Sequence, residues 1–269
     1  MTRFPRKLTD ARGRTIHLTT PPQRIVSLVP SITELLAALG LDHAVVGLTR
    51  FCVRPPDWKR RKTIVGGTKQ INLERLLSLQ PDLVLANLEE NTRAIVEMLD
   101  PHVPVFVTYV RTLDEALHMI RQVGSLTDTE ATAETLAATI AQRFATLPAY
   151  PSLRTLYLIW RDPWMSIGGD TFIHDMLRRG GFANVCAHQT RYPTLTPEAI
   201  RTLHPEVVLL SSEPYPFREA HLEELRPLCP HATFLLVDGQ PFSWYGARLL
   251  ETPAYLQQLR RQLLSLLPS

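Results

Sequence analysis

Apolar positions fall along this chain in two rhythms. Short, mostly apolar runs at 25–29, 45–48, 83–86, 103–109, 155–159 and 233–237 read as strands, the continuous run at 83–86 as one covered on both faces. Between them, apolar residues recur every three or four positions, the spacing of helices with one buried stripe. This predicts helices over 32–39, near 89–99, over 114–123, over 171–179, near 218–226 and over 253–267. Residues 1–23 read as a polar arm with an edge strand at 15–19.

One phrase occurs twice. Residues 72–86, NLERLLSLQPDLVLA, give an N-cap Asn72, a short helix, a stop at Pro81 and a buried strand. Residues 196–211, TPEAIRTLHPEVVLLS, repeat the order with matching spacings from Glu74 and Glu198. Each copy then runs into a Pro-His pair and another strand. Between the copies Thr127-Asp128-Thr129-Glu130 reads as a capping box. It opens the longest helical pattern, with Ala133, Leu136, Ala137, Ile140, Phe144 and Leu147 on one face. At about 1.5 Å per residue such a helix spans roughly 25–30 Å.

Alternating strands and helices in both halves predict an α/β fold. We expect two similar lobes with mostly parallel central sheets, joined by one long rigid α-helix, with a ligand cleft between the lobes. The expected divisions are an N-terminal lobe over 1–125, a connecting helix over 126–148 and a C-terminal lobe over 149–269.

Composition narrows the function. The 269 residues are 45% hydrophobic and 20% charged, with a formal charge of +3. That charge is too small to indicate non-specific nucleic-acid binding. No apolar run approaches the roughly 20 residues of a membrane span. The three cysteines are scattered, which argues against a disulfide framework or a CxxC metal knuckle. The nine histidines form no local ligand pair, so no metal site is assigned. The N-terminus as written carries no apolar signal core, which suggests a cytoplasmic protein, or a periplasmic or cell-surface one if a signal was removed.

Motif chemistry is sparse. No dinucleotide fingerprint, phosphate loop, nucleophile elbow or zinc-protease motif occurs. Aromatic residues gather instead in segments expected to be loops. Phe51 and Trp58 lie in the long loop 49–70, Trp160 and Trp164 in the loop 160–170, Tyr192 before the second phrase, and Trp244-Tyr245 near the end. Loops at the carboxyl ends of parallel strands are where such folds bind ligands. Arg50, Arg54, Arg161, Arg191 and Arg248 lie beside these rings and suit polar groups of a ligand. Cys52, in the same Pro-flanked loop, reads either as a metal-ligating thiol or as an inert buried one.

The chain resembles the substrate-binding proteins of ABC importers of the class with one rigid helix between lobes, which serve vitamin B12, haem, siderophores and some metals. The residues that carry the likeness are RIVSLVPSITELLAALGL at 24–41, the prolines at 55–56, both phrases, the long helix, YPTLTPEAIRTLHPEVVLL at 192–210 and PFSWYGAR at 241–248. The resemblance implies a non-enzymatic protein that binds cobalamin or a related corrinoid and delivers it to an ABC permease. It implies that Tyr192 and Trp164 line the cleft and that Glu74 and Glu198 dock on permease arginines. Departures from the pattern stand at Arg54, where a Tyr is expected, at Thr68-Lys69 and at Ser243.

The expected ligand-binding set is Phe51, Cys52, Arg54, Thr68, Trp160, Trp164, Tyr192, Trp244 and Tyr245. The protein is expected to be a monomer, with the corrinoid as ligand rather than cofactor. Alternatives are a haem, siderophore or metal-ion receptor of the same fold, or a cytoplasmic corrinoid carrier or sensor. From another class, a two-lobe glycosyltransferase or tetrapyrrole-modifying enzyme fits the fold, though no acid/base pair marks one.

Overall fold

The computed structural model describes residues 4–266. The chain forms two compact α/β units. The first takes the chain up to Val110, with Asp114–Ala141 and Trp244–Arg248. The second takes Arg111–Leu113, Gln142–Ser243 and the chain from Leu249 onward. The units are therefore not consecutive pieces of sequence.

In the first unit the elements run β1 (Arg6–Thr9), β2 (Thr15–Leu18), β3 (Ile25–Ser27), α1 (Pro30–Ala38), β4 (Val45–Leu48), α2 (Trp58–Arg61), β5 (Thr63–Ile64), α3 (Leu73–Ser78), β6 (Leu83–Asn87), α4 (Arg93–Leu99) and β7 (Val105–Thr108). The main sheet is parallel, in the order β5-β4-β3-β6-β7. Its strands are short apolar runs because both faces are covered: all five residues of β6 and all four of β7 are buried. Val26, Val84, Leu76 and Val105 share one core cluster with Val96 and Leu99 of α4.

The expected polar arm is a hairpin. β1 and β2 pair antiparallel, and the turn between them is docked on β7. Ala11 N–H donates to Val107 O at 2.9 Å. The buried Asp10 carboxylate accepts from the backbone N–H groups of Arg12, Arg14 and Val107. With the Arg12 guanidinium, which donates from Nε at 2.8 Å, that makes four hydrogen bonds to one carboxylate. They fix β1, whose side chains alternate half-buried and exposed, too weak a pattern to read as a strand from composition.

α5 (Leu113–Leu126) and α6 (Glu130–Ala145) follow. The capping box does not form. The Thr127 hydroxyl donates back to Val123 O at 2.8 Å and so finishes α5. Asp128 takes a positive φ of 58°, and Ala133 N–H bonds Thr129 O to start α6. α6 has 16 residues, about 24 Å at 1.5 Å per residue.

The second unit holds β8 (Leu153–Leu158), β9 (Trp164–Met165), α7 (Phe172–Arg179), β10 (Phe182–Asn184), β11 (Thr194–Leu195), α8 (Pro197–Thr202), β12 (Val207–Ser211), α9 (Glu219–Leu225), β13 (Thr233–Val237), α10 (Gln240–Ser243) and α11 (Thr252–Leu264). Its main sheet is parallel, in the order β10-β8-β12-β13. A two-stranded antiparallel ribbon, β9 with β11, ties the 160–170 loop to the segment before the second phrase. β9, β10 and β11 are too short to give a sequence pattern, and none of the three was expected.

Both copies of the repeated phrase fold alike. Asn72 caps α3 by accepting from Arg75 N–H at 2.8 Å. Thr196 caps α8 by accepting from Ala199 N–H at 3.2 Å, with Pro197 at the first helical position. Each helix leads into the central region of its own sheet through β6 or β12.

Candidate ligand-binding surfaces

In each main sheet the strand order reverses beside the unit's first parallel strand. The chain runs from β3 outward to β4 and β5, then crosses to β6 and β7. In the second unit it runs from β8 to β10, then crosses to β12 and β13. The carboxyl ends of β3 and β6, and of β8 and β12, flank these switch points, where open α/β sheets bind ligands.

In the first unit the loop after β4 presents Phe51, 52% exposed. The Arg50 guanidinium lies 5.4 Å from the Phe51 ring centroid. Both side chains rest on Gly67, where an added Cβ would come within 3.0 Å of the guanidinium and 3.1 Å of the ring. A side chain at this position would press on the pair and force it to shift by a few tenths of an ångström. Leu88, just after β6, and Val53 are also exposed. Asn91, buried, fixes the region: its amide donates to Thr68 O at 3.0 Å and Leu28 O at 3.4 Å, and its oxygen accepts from Asn87 N–H. It thereby joins the 66–70 turn to the carboxyl ends of β3 and β6. Arg54 is exposed and Thr68 half-buried.

Three expected site residues of this unit are buried. Cys52 is 1% exposed, with Thr33 Oγ1 at 3.0 Å and Thr49 Oγ1 at 3.2 Å from its sulfur. Burial pushes its thiol upward, further from the thiolate a metal needs. The structure thus favours the inert reading of Cys52. Trp244 and Tyr245 are 6% and 5% exposed. Their segment is drawn into the first unit by Gly246, whose missing Cβ would stand 2.5 Å from Ser31 O, and by an ion pair between Arg248 and Glu34. Trp58, expected among the exposed loop rings, is likewise buried, under the Lys62 ammonium.

In the second unit the aromatic residues converge. Trp160, directly past β8 and 40% exposed, meets Tyr215, past β12, edge to face with centroids 5.5 Å apart. Trp164 stacks on Phe217 with centroids 6.1 Å apart and planes 6° apart. Tyr215 and Phe217 are 4.8 Å apart, and His221 lies 5.4 Å from each. The Arg161 guanidinium covers Trp164 at 5.1 Å and is held by Glu224 at 2.8 Å. Five rings and one guanidinium thus make a single wall across the two central strands. Tyr192, half-buried, stands beside Arg191, whose guanidinium lies 5.6 Å from its ring; Arg191 N–H is anchored on Asp170 at 2.6 Å.

Tyr215, Phe217, His221 and Asn91 were not anticipated. The signal for the first two was present in EPYPFREAH, an aromatic pair immediately after the second phrase.

The repeated glutamates occupy equivalent places. Glu74 and Glu198 are the second helical residues of α3 and α8, and both are exposed. Glu198 is held below the usual carboxylate range, first by its own backbone N–H, then by Thr196 and Arg201. Among the described residues no cluster of three or more His, Cys, Asp or Glu side chains is placed to hold a metal ion, and no helix is long and apolar enough to cross a membrane.

Residues 25–226, well over half the chain, match the family described as periplasmic binding protein. The chain belongs to that family. The ABC transporter substrate-binding lipoprotein YvrC of Bacillus subtilis (strain 168), itself uncharacterized, is 30% identical over 218 residues, 77% of this chain and 69% of that protein. A cobalamin-binding protein of Halobacterium salinarum (strain ATCC 29341 / DSM 671 / R1) is 29% identical over 215 residues, 77% of this chain but 58% of that one. Among solved structures, the periplasmic heme-binding protein RhuT from Roseiflexus sp. RS-1, in apo form, superposes with a TM-score of 0.76 at 25% identity. That match covers 88% of this chain and 96% of the other. The expected fold class and family are those observed, and these relatives carry binding rather than catalytic names.

Proposed function

We propose that this periplasmic binding protein captures cobalamin or a related corrinoid and delivers it to an ABC permease. The observation that carries the reading is the half-open ring of Trp160, set against Tyr215 where β8 and β12 end. A corrin is large and mostly apolar across its faces, with amide groups on its rim. An aromatic wall that exposes Trp160 and half-exposes Trp164 and Tyr215, edged by Arg161, complements both features. Phe51 and Arg50 in the first unit offer the same pairing of ring and guanidinium. The cobalamin-binding relative supports the ligand class.

In this reading Glu74 and Glu198 are the permease-docking residues. Their equal position in two copies of one phrase, exposed on both helices, supports it. The protein would then work outside the cytoplasm, as the family description and the lipoprotein relative suggest.

Haem is the second reading, favoured by the likeness to RhuT. Titration of purified protein with cyanocobalamin, dicyanocobinamide and hemin, followed by tryptophan quenching and visible absorbance, separates the two. The expected result is stoichiometric corrinoid binding that Trp160→Ala weakens at least about tenfold, as loss of a central aromatic contact does. A Soret shift with hemin and no response to either corrinoid would establish the second reading instead.

A further inference from the structure

The aromatic wall contains one polar pair that packing alone does not require. Tyr215 Oη lies 3.2 Å from His221 Nε2. The other imidazole nitrogen, Nδ1, accepts the Arg218 backbone N–H at 2.9 Å, and also lies 3.2 Å from Arg218 O. We assign the proton of the neutral ring to Nε2, because the shorter Nδ1 contact is to the Arg218 N–H. Nε2–H therefore donates to the Tyr215 oxygen. A phenol that accepts from one side keeps its own O–H for another acceptor.

The position of Tyr215 says where that acceptor is. Its ring is half-buried between Phe217 and the exposed Trp160, four residues past the end of central strand β12. His221 sits in the first turn of α9, and that helix is tied to the Trp160–Trp164 loop by the Arg161–Glu224 pair. The phenol is thus held from three sides at the carboxyl edge of the sheet.

We infer that Tyr215 is a ligand-binding residue that donates its O–H to an oxygen acceptor on the ligand's rim, an amide carbonyl or a carboxylate, and that His221 is its positioning residue. This rests on the assignment of the aromatic wall as the ligand surface. It adds directional recognition to a wall otherwise made of faces and edges, since an O–H accepts little misalignment. Amide carbonyls are the acceptors of a corrinoid and carboxylates those of haem, so the two ligands share this chemistry.

The test compares wild type, Tyr215→Phe, His221→Phe and the double variant, with Trp160→Ala as control. Phe keeps a ring at each position, and melting of the unliganded variants is expected within a few degrees of wild type. Affinity for dicyanocobinamide and for hemin is measured separately, and the ligand that binds identifies the acceptor. Tyr215→Phe is expected to weaken binding about three- to tenfold, the size of one hydrogen bond. The double variant is expected to bind no more weakly than Tyr215→Phe alone, because His221 acts through the phenol. If Tyr215→Phe binds within twofold of wild type while Trp160→Ala does not, the inference is overturned and the wall stands. If both bind as wild type does, the wall is not the ligand surface and both readings fall. Additive losses in the double variant would overturn the positioning role of His221.

Discussion

Trp164 and Phe217 stack with ring planes 6° apart, although 53 positions separate them in the chain. The contact joins the loop after β8 to the loop after β12, alongside the Trp160–Tyr215 contact and the Arg161–Glu224 pair. Trp164 is half-buried there, whereas Trp160 remains 40% exposed. The two tryptophans should therefore respond differently to truncation. Trp164→Ala is expected to lower stability by about 3 kcal/mol, toward the lower end for buried aromatic truncations, and to weaken ligand binding. Trp160→Ala should weaken binding with a stability change below about 1 kcal/mol. Urea unfolding beside ligand titration checks both.

Arg248, buried, and Glu34, half-buried, form an ion pair in the first unit, with side chains 8% and 16% exposed. Removing one partner leaves the other charged and desolvated. Arg248→Met is expected to cost about 3–5 kcal/mol, and the double replacement Arg248→Met with Glu34→Leu distinctly less. Comparison of urea midpoints at pH 7 checks this.

Asp175 gives the protein an acid-side dependence. Burial pushes its carboxyl upward, but bonds from Arg179, Leu113 N–H and Arg178 together outweigh burial, and the net shift is downward. A carboxyl depressed in the folded state adds stability above its unfolded value of about 3.9, and that stability is lost as pH falls through the lower folded value. Asp175→Asn should thus be less stable than wild type at pH 7. The gap should narrow below about pH 4. Denaturant midpoints from pH 7 to pH 2 show whether it does.

The glutamates of the repeated phrase separate a docking role from a helix-start role. Glu74→Lys with Glu198→Lys is expected to leave ligand affinity unchanged. Loss of the favourable charge at two solvent-exposed helix N-termini should lower stability only slightly. Association with the cognate permease, and ligand-dependent stimulation of its ATPase, should be abolished. Retained stimulation would leave both residues as helix-start acids.

The repeated phrase was legible because its information is local. An N-cap, a three-and-four spacing and a Pro stop lie within fifteen residues, and Asn72 and Thr196 cap as their side chains dictate. The α/β class followed from the same local rhythms. The burial of Trp244 and Tyr245 was not legible, because it depends on Gly246 meeting Ser31, a contact set by the fold and not by neighbouring sequence. Thr127 misled for a related reason. The left-handed Asp128 and the start of α6 at Glu130 leave Thr127 outside the N-cap position, at the end of α5. Tyr215 was marked only by its pairing with Phe217 after the second phrase, and His221, a single polar residue at a helix start, carries no periodic signal.

The interleaving of the two units constrains how such a chain can be rearranged. Arg111–Leu113 belong to the second unit, where Leu113 N–H meets Asp175, and Trp244–Arg248 belong to the first, where Arg248 meets Glu34. A graft that exchanges everything after α6 with a relative would carry off five residues that complete the other half. It would also leave behind three that its own half needs. Recombination at the obvious midpoint therefore breaks one buried and one partly buried polar contact at once. A working chimera must return residues 111–113 and 244–248 to their original partners, so the halves of this duplicated architecture have to change together.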